Sequence, residues 1–154
     1  ESQTDPDFTT PIISVARAIP IDCTDYNGHM NESRYGQLWS EAADAVMRMI
    51  GADDAYIRSG FSYFTADTHT KFRNECHAGD NVTVVTAILE SAGKKLRLFH
   101  ELKNADGNVV ATCNQFLLHV SLETRKSCDP ATHISDKLAS ILAAQAALPK
   151  PEHS

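Results

Sequence analysis

The chain is 154 residues long and 42% apolar, with 14 basic against 20 acidic side chains and a formal net charge of −6. That length is enough for one domain with a core of its own, and the acidic balance argues against a phosphate-neutralising nucleic-acid binder, because the longest basic runs are the pairs Lys94-Lys95 and Arg125-Lys126. No apolar run exceeds four residues, where a membrane span needs about 20 and a signal core about 7–15, so a soluble chain is expected.

Residues 1–11 contain Pro6, Pro11 and a polar mix and read as a flexible lead-in. A single domain is expected over 12–148, with 149–154 as a tail. Ile12, Ile13, Val15, Ile19 and Ile21 predict a strand over 12–21, and Pro20 places it at an edge or marks its end. The period then changes. Tyr35, Leu38, Trp39, Ala42, Ala43, Val46, Met49 and Ile50 recur at steps of three and four, the pattern of one long amphipathic helix over 31–50 that Gly51 closes. After a loop with Gly60, residues 62–73, 81–90, 95–104 and 108–121 alternate as strands do. The turn signals at 78–81, 91–93 and 104–107 predict antiparallel hairpins between them. Beyond Asp129-Pro130, Ile134, Leu138, Ile141 and Leu142 share one face of a second helix that Pro149 ends. The predicted class is α+β: a curved antiparallel sheet that buries the long helix, because no other large apolar element can cover its inner face.

Cys23, Cys76, Cys113 and Cys128 match neither a C-x-x-C pair nor a zinc ribbon, so free thiols in a reducing cytoplasm are expected. Cys76 beside His77 does not make a nucleophilic dyad on a strand, where neighbours face opposite ways. His69, His100 and His119 fall in predicted strands without metal-ligand spacing, and no metal is expected.

Chemistry concentrates at the junction before the long helix, Asp25-Tyr26-Asn27-Gly28-His29-Met30-Asn31-Glu32. In an extended segment Asp25, Asn27 and His29 would face one volume, next to a helix N-terminus whose free N–H groups suit an oxyanion. The same residues are also ordinary turn and cap formers, with Asn31 or Ser33 available as a cap.

Taken whole, the run D-Y-N-G-H-M-N-E-x-x-Y before a long helix resembles the D-x-N-x-H-[VM]-N-N-x-x-Y signature of hotdog-fold acyl-CoA and acyl-ACP thioesterases of the 4-hydroxybenzoyl-CoA thioesterase-like superfamily. The likeness extends in element order from Ile12 to about Ser127 and includes Glu75-Cys76-His77-Ala78-Gly79-Asp80. The stretches 25–32, 62–69, 98–100 and 117–127 look like the betainyl-CoA thioesterase branch, which occurs alone or fused to L-carnitine dehydrogenase. Glu32 departs from the family's second Asn, an acid that still suits a positive helix end.

The resemblance implies a homodimer or a dimer of dimers with the site at the subunit interface. It implies hydrolysis of a small acyl-CoA, betainyl-CoA above others, with the CoA thioester as substrate and no cofactor. Asp25 matches the catalytic carboxylate, as base or nucleophile; Asn27 and His29 would orient water or substrate, and N–H groups around Met30 and Asn31 would receive the oxyanion. Glu75 is a possible second acid, or equally a solvated strand-end charge. Tyr35, Trp39, Tyr63 and Phe64 are core residues by default and become an acyl pocket if a trimethylammonium group must be held by aromatic faces. Arg125 and Lys126 are candidates for CoA phosphates or a solvated strand end. The alternatives are a thioesterase of other acyl specificity, a hydratase or dehydratase, and a non-catalytic acyl-CoA-binding module.

Overall fold

The computed structural model describes residues 12–18, 32–74 and 79–145. The chain order is β1 (Ile12–Ala18), α1 (Glu32–Ile50), α2 (Asp54–Arg58), β2 (Phe61–Phe72), β3 (Asn81–Ala92), β4 (Lys95–Lys103), β5 (Val109–Ser121) and α3 (Thr132–Gln145). The strands form one antiparallel sheet in the order β1-β3-β4-β5-β2. β1 lies at an edge, as Pro20 suggested. The hairpins β3–β4 and β4–β5 follow their turn signals, whereas the turn at 78–81 does not join neighbours: β2 crosses to pair with β5 along its whole length, Phe61 opposite Ser121 and Phe72 opposite Ala111. A turn signal reports where the chain reverses and carries no information about which strand it meets.

α1 forms where the apolar stripe lies. Tyr35, Leu38, Trp39, Ala42, Ala43, Val46 and Ile50 are all buried, and the helix ends where Gly51 takes a positive φ of 91° and the Ala52 N–H reaches back 2.9 Å to the Met47 carbonyl. The short α2 falls in a stretch that the sequence reads as loop. Five residues are too few for a period, and its one local signal is Asp53, whose carboxylate accepts the Tyr56 N–H at 3.1 Å as an N-cap.

β2 carries a register shift between Thr65 and Asp67. One extra residue there exchanges the two faces, so that Tyr63 packs into the inner core before the shift while Thr70, an odd number of positions later, meets α1 after it. At the other edge β1 covers β3 only from Asn81 to Thr86. Past that point α3 takes over: Gln145 Oε1 accepts the Ile88 N–H at 3.1 Å, and Ile134, Leu138 and Ile141 join Val46, Ile50, Leu96 and Leu98 in one apolar cluster. A second cluster gathers the first half of α1 against Val82, Val84, Leu102 and Val110.

Candidate active site

Asp25, Asn27, His29, Met30, Asn31 and Glu75 lie outside the described residues, as do Cys23, Cys76 and His77. The ends from which their segments issue are described. Ala18, the last residue of β1, pairs with Asn81, the first of β3. Tyr35 in the first turn of α1 meets Phe72, the last residue of β2, edge-on with 4.9 Å between ring centres. The connection 19–31, which carries Asp25 to Asn31, runs from the end of β1 to the start of α1; the connection 73–80, which carries Glu75, runs from the end of β2 to the start of β3.

The four candidate pocket aromatics do not come together. Trp39 is 1% exposed; its indole N–H donates to Thr70 Oγ1 at 3.2 Å and its ring stacks on His100 at 5.8 Å and 10°. Both its face and its polar edge are thereby engaged inside the core. Tyr35 lies beside it, also buried, with 6.5 Å between ring centres. Tyr63 packs at the far end of β2 in the α3 cluster. Phe64, its neighbour on the strand, points to the opposite face and is 55% exposed.

Beneath Trp39 runs a polar row that sequence reasoning did not find. Thr86, His100, Cys113 and Thr70 stand directly opposite one another across β3, β4, β5 and β2 on the inner face. His100 Nε2–H donates to Gln115 Oε1 at 2.6 Å and Nδ1 accepts the Thr86 hydroxyl at 2.8 Å. Burial lowers its pKa to about 4 against the opposing pull of Gln115, so the ring is neutral and both nitrogens are occupied. Burial pushes the Cys113 thiol up to about 12, with the Thr70 hydrogen bond acting the other way. A thiol held protonated in this way is no nucleophile.

His119 makes a second network. Its Nδ1–H donates to the Cys128 carbonyl at 2.9 Å, and its Nε2 accepts the Tyr56 hydroxyl at 2.7 Å; that hydroxyl in turn accepts the Ala131 N–H at 3.1 Å. Burial depresses its pKa as well. His69 is exposed. Cys113 and Cys128 are free thiols, and no helix among the described residues is long and apolar enough to cross a membrane.

A cavity of about 600 Å³ opens between the last turns of α1, α2 and the first residues of β2. Asp44, Arg48, Asp53, Asp54, Arg58 and Tyr63 are among its lining residues. The Tyr63 hydroxyl is buried without a hydrogen-bond partner, and burial raises its pKa, Tyr56 adding to the effect. The sequence concealed this cavity because α2, which reads as loop, supplies part of its wall. Arg125 and Lys126 are exposed in the turn after β5, close to where Leu122 N–H bonds the Gly60 carbonyl at 2.8 Å.

Residues 19–140 match the family model described as the thioesterase-like superfamily. Over 146 residues, 95% of the chain, it is 49% identical to an L-carnitine dehydrogenase/betainyl-CoA thioesterase of Ruegeria pomeroyi, and it spans about a third of that protein, 30% of its length. A betainyl-CoA thioesterase of Pseudomonas aeruginosa is 34% identical over 150 residues, covering 94% of this chain and 88% of the relative. Among solved structures, a putative thioesterase from Pseudomonas putida superposes with a TM-score of 0.82 at 30% identity over 94% of this chain and 93% of the other. The protein SAV2348 of Staphylococcus aureus, solved in complex with CoA, superposes with a TM-score of 0.86 at 23% identity over 92% of this chain and 91% of the other. The family match, the level of identity and the sheet that holds α1 agree with one another. The chain therefore belongs to the thioesterase-like superfamily, with the hotdog fold.

Proposed function

We propose that this chain hydrolyses betainyl-CoA to glycine betaine and CoA in carnitine degradation, in the cytoplasm and as a homodimer, alongside or joined to a carnitine dehydrogenase activity. The observation that carries the reading is the 49% identity over 95% of the chain to a relative whose name includes that activity, and the free-standing relative bears the same activity alone. Free Cys113 and Cys128 fit a reducing compartment.

In this reading Asp25 takes a proton from the attacking water, or attacks the thioester carbonyl itself to form a mixed anhydride that water then hydrolyses; in either case the C–S bond breaks, the CoA thiolate leaves and the acyl group is released as the acid. Asn27 and His29 orient the reacting groups. N–H groups around Met30 and Asn31, at the positive end of α1, take the oxyanion, each donor worth about 3 kcal/mol. Glu75, on the connection 73–80, is a second acid within the same reading. Arg125 and Lys126 meet the CoA phosphates. No cofactor is required.

The dimer forms through β2. This strand has β5 on one side and no strand among the described residues on the other; its exposed positions run from Phe64 to His69 and include Phe72 at 50%. A twelve-residue edge with unpaired backbone groups is a template for a second copy.

The test is thiol release from betainyl-CoA beside neutral short-chain, long-chain and aromatic acyl-CoA esters. Betainyl-CoA should give the highest kcat/KM, and Asp25→Asn should lower kcat at least about 100-fold with the fold and dimer intact. A folded Asp25→Asn protein with near-normal turnover would remove the carboxylate from the mechanism.

A further inference from the structure

We propose that the cavity between the last turns of α1, α2 and the start of β2 is a binding site for a small zwitterion, a molecule with a carboxylate at one end and a fixed cation at the other. Tyr63, Arg48 and Arg58 take the carboxylate and Asp53 the cation. This goes beyond the hydrolysis proposed above and does not depend on which thioester the chain cleaves.

The anionic end follows from an orphaned donor. Tyr63 lines the cavity, and its hydroxyl is buried with no hydrogen-bond partner, an arrangement that folded proteins rarely leave without a reason. The neighbouring Tyr56 hydroxyl is already taken up by His119 and the Ala131 N–H. The Tyr63 ring packs edge-on against His119 with 5.0 Å between centres, which holds the hydroxyl in place. Burial raises its pKa, so it keeps its proton and stands ready to donate. Arg48 and Arg58, in the last turns of α1 and α2, line the same cavity. Among the described residues neither guanidinium forms an ion pair within 4 Å. Two planar guanidinium forks and a phenolic hydroxyl are donors only a carboxylate or a similar anion can satisfy together.

The cationic end follows from the acids of the same lining. Asp44 and Asp54 each stand four residues before an arginine on their own helix, the spacing at which acid before base offsets charge. Asp53 has Ile57 at that position and no such offset. Its Oδ1 caps α2 by accepting the Tyr56 N–H at 3.1 Å, which leaves Oδ2 for a ligand. A fixed cation cannot shed its charge and donates no hydrogen bond, so a carboxylate charge is what holds it. A plain anion in this cavity meets three aspartates, and a plain cation meets two arginines. Only a ligand that carries both charges avoids both repulsions. The volume of about 600 Å³ lies within the usual range for small-molecule sites and leaves room for bridging water.

Isothermal titration calorimetry on the full chain tests the site with glycine betaine and with its two halves, choline, which lacks the carboxylate, and 3,3-dimethylbutanoate, which lacks the cation. Glycine betaine should bind saturably, and each half at least about fivefold more weakly. Tyr63→Phe should weaken glycine betaine at least about tenfold, the loss of one hydrogen bond to a charged group. The same variant should leave the thermal midpoint of the unliganded protein unchanged or raised, because it removes an orphaned hydroxyl, whereas a purely structural tyrosine would lower it. Asn caps a helix as well as Asp does, so Asp53→Asn should keep α2, weaken glycine betaine at least about fivefold and tighten 3,3-dimethylbutanoate, opposite signs that misfolding cannot produce. Ala55→Trp, an exposed position of α2 that lines the cavity, should fill it and abolish binding. Absence of saturable glycine betaine binding, unchanged affinity in Tyr63→Phe, or full binding to Ala55→Trp overturns the site. Adenosine 3′,5′-bisphosphate is the control for a phosphate as the anion. If it binds more tightly than glycine betaine and loses that affinity in Tyr63→Phe, the cavity is a phosphate site and the zwitterion assignment is overturned.

Discussion

The two buried histidines on the inner face of the sheet are held in opposite ways. His100 takes both partners, Thr86 and Gln115, from side chains of neighbouring strands and lies under the ring of Trp39. His119 takes its partners from outside the sheet, the Tyr56 hydroxyl of α2 and the backbone of Cys128 beyond β5. The first network locks strands β3, β4 and β5 to one another and to α1. The second ties α2 and the lead into α3 onto the end of β5. Buried polar groups of the same type thus do different work: at one end they set the register of the core, and at the other they hold the segments that wall the cavity.

The sharpest way to break this comparison is at its apolar roof. Trp39→Ala should destabilise the protein by about 3–5 kcal/mol, the range for truncating a large core aromatic, and it also leaves Thr70 without its donor. Urea unfolding followed by circular dichroism gives the value; a loss no larger than that of a Tyr56→Phe variant would remove the difference between the two ends.

Acid distinguishes the two ends further. The folded pKa of His100, about 4, lies below the ordinary 6.5. The unfolded chain therefore takes up the proton first, so the contribution of this neutral ring to stability is complete above pH 6.5 and is lost as pH falls toward 4, by about 3 kcal/mol. His119, depressed in the same direction, adds to the loss as pH falls below 6.5. Unfolding midpoints measured from pH 7 to 4 should fall steeply, and His100→Leu, less stable at pH 7, should show a flatter profile. An equal slope in that variant would move the acid sensitivity away from His100.

The smallest expected effect is at the outer tie. Tyr56→Phe removes the hydroxyl that joins His119 to the Ala131 N–H and should cost about 1–2 kcal/mol. Hydrogen exchange at Ala131 and along the first turn of α3 should quicken, while amides of β4 stay protected. Uniform loss of protection through β4 would show that the two networks form one unit.

The sequence alone determined what repeats locally. The stripe from Tyr35 to Ile50 defined α1 to within a residue of its start, alternation defined four strands to within one or two residues of their ends, and Ile134, Leu138 and Ile141 marked the buried face of α3. The motif from Asp25 to Glu32 was legible because its residues are adjacent in the chain, and the family that it points to is the one that the comparisons find. What repeats over no interval was left to the tertiary structure. Strand pairing depends on which edges meet after the chain has crossed the sheet, so β2 joins β5 instead of its neighbour in sequence. A bulge near Ala66 decides that Tyr63 and Thr70 face the same side. The row of Thr86, His100, Cys113 and Thr70 draws one residue from each of four strands, and the cavity draws on three elements. Local periodicity follows from the geometry of a helix or strand, which each short segment carries within itself; a site built from distant segments exists only once burial of the apolar faces has brought them together.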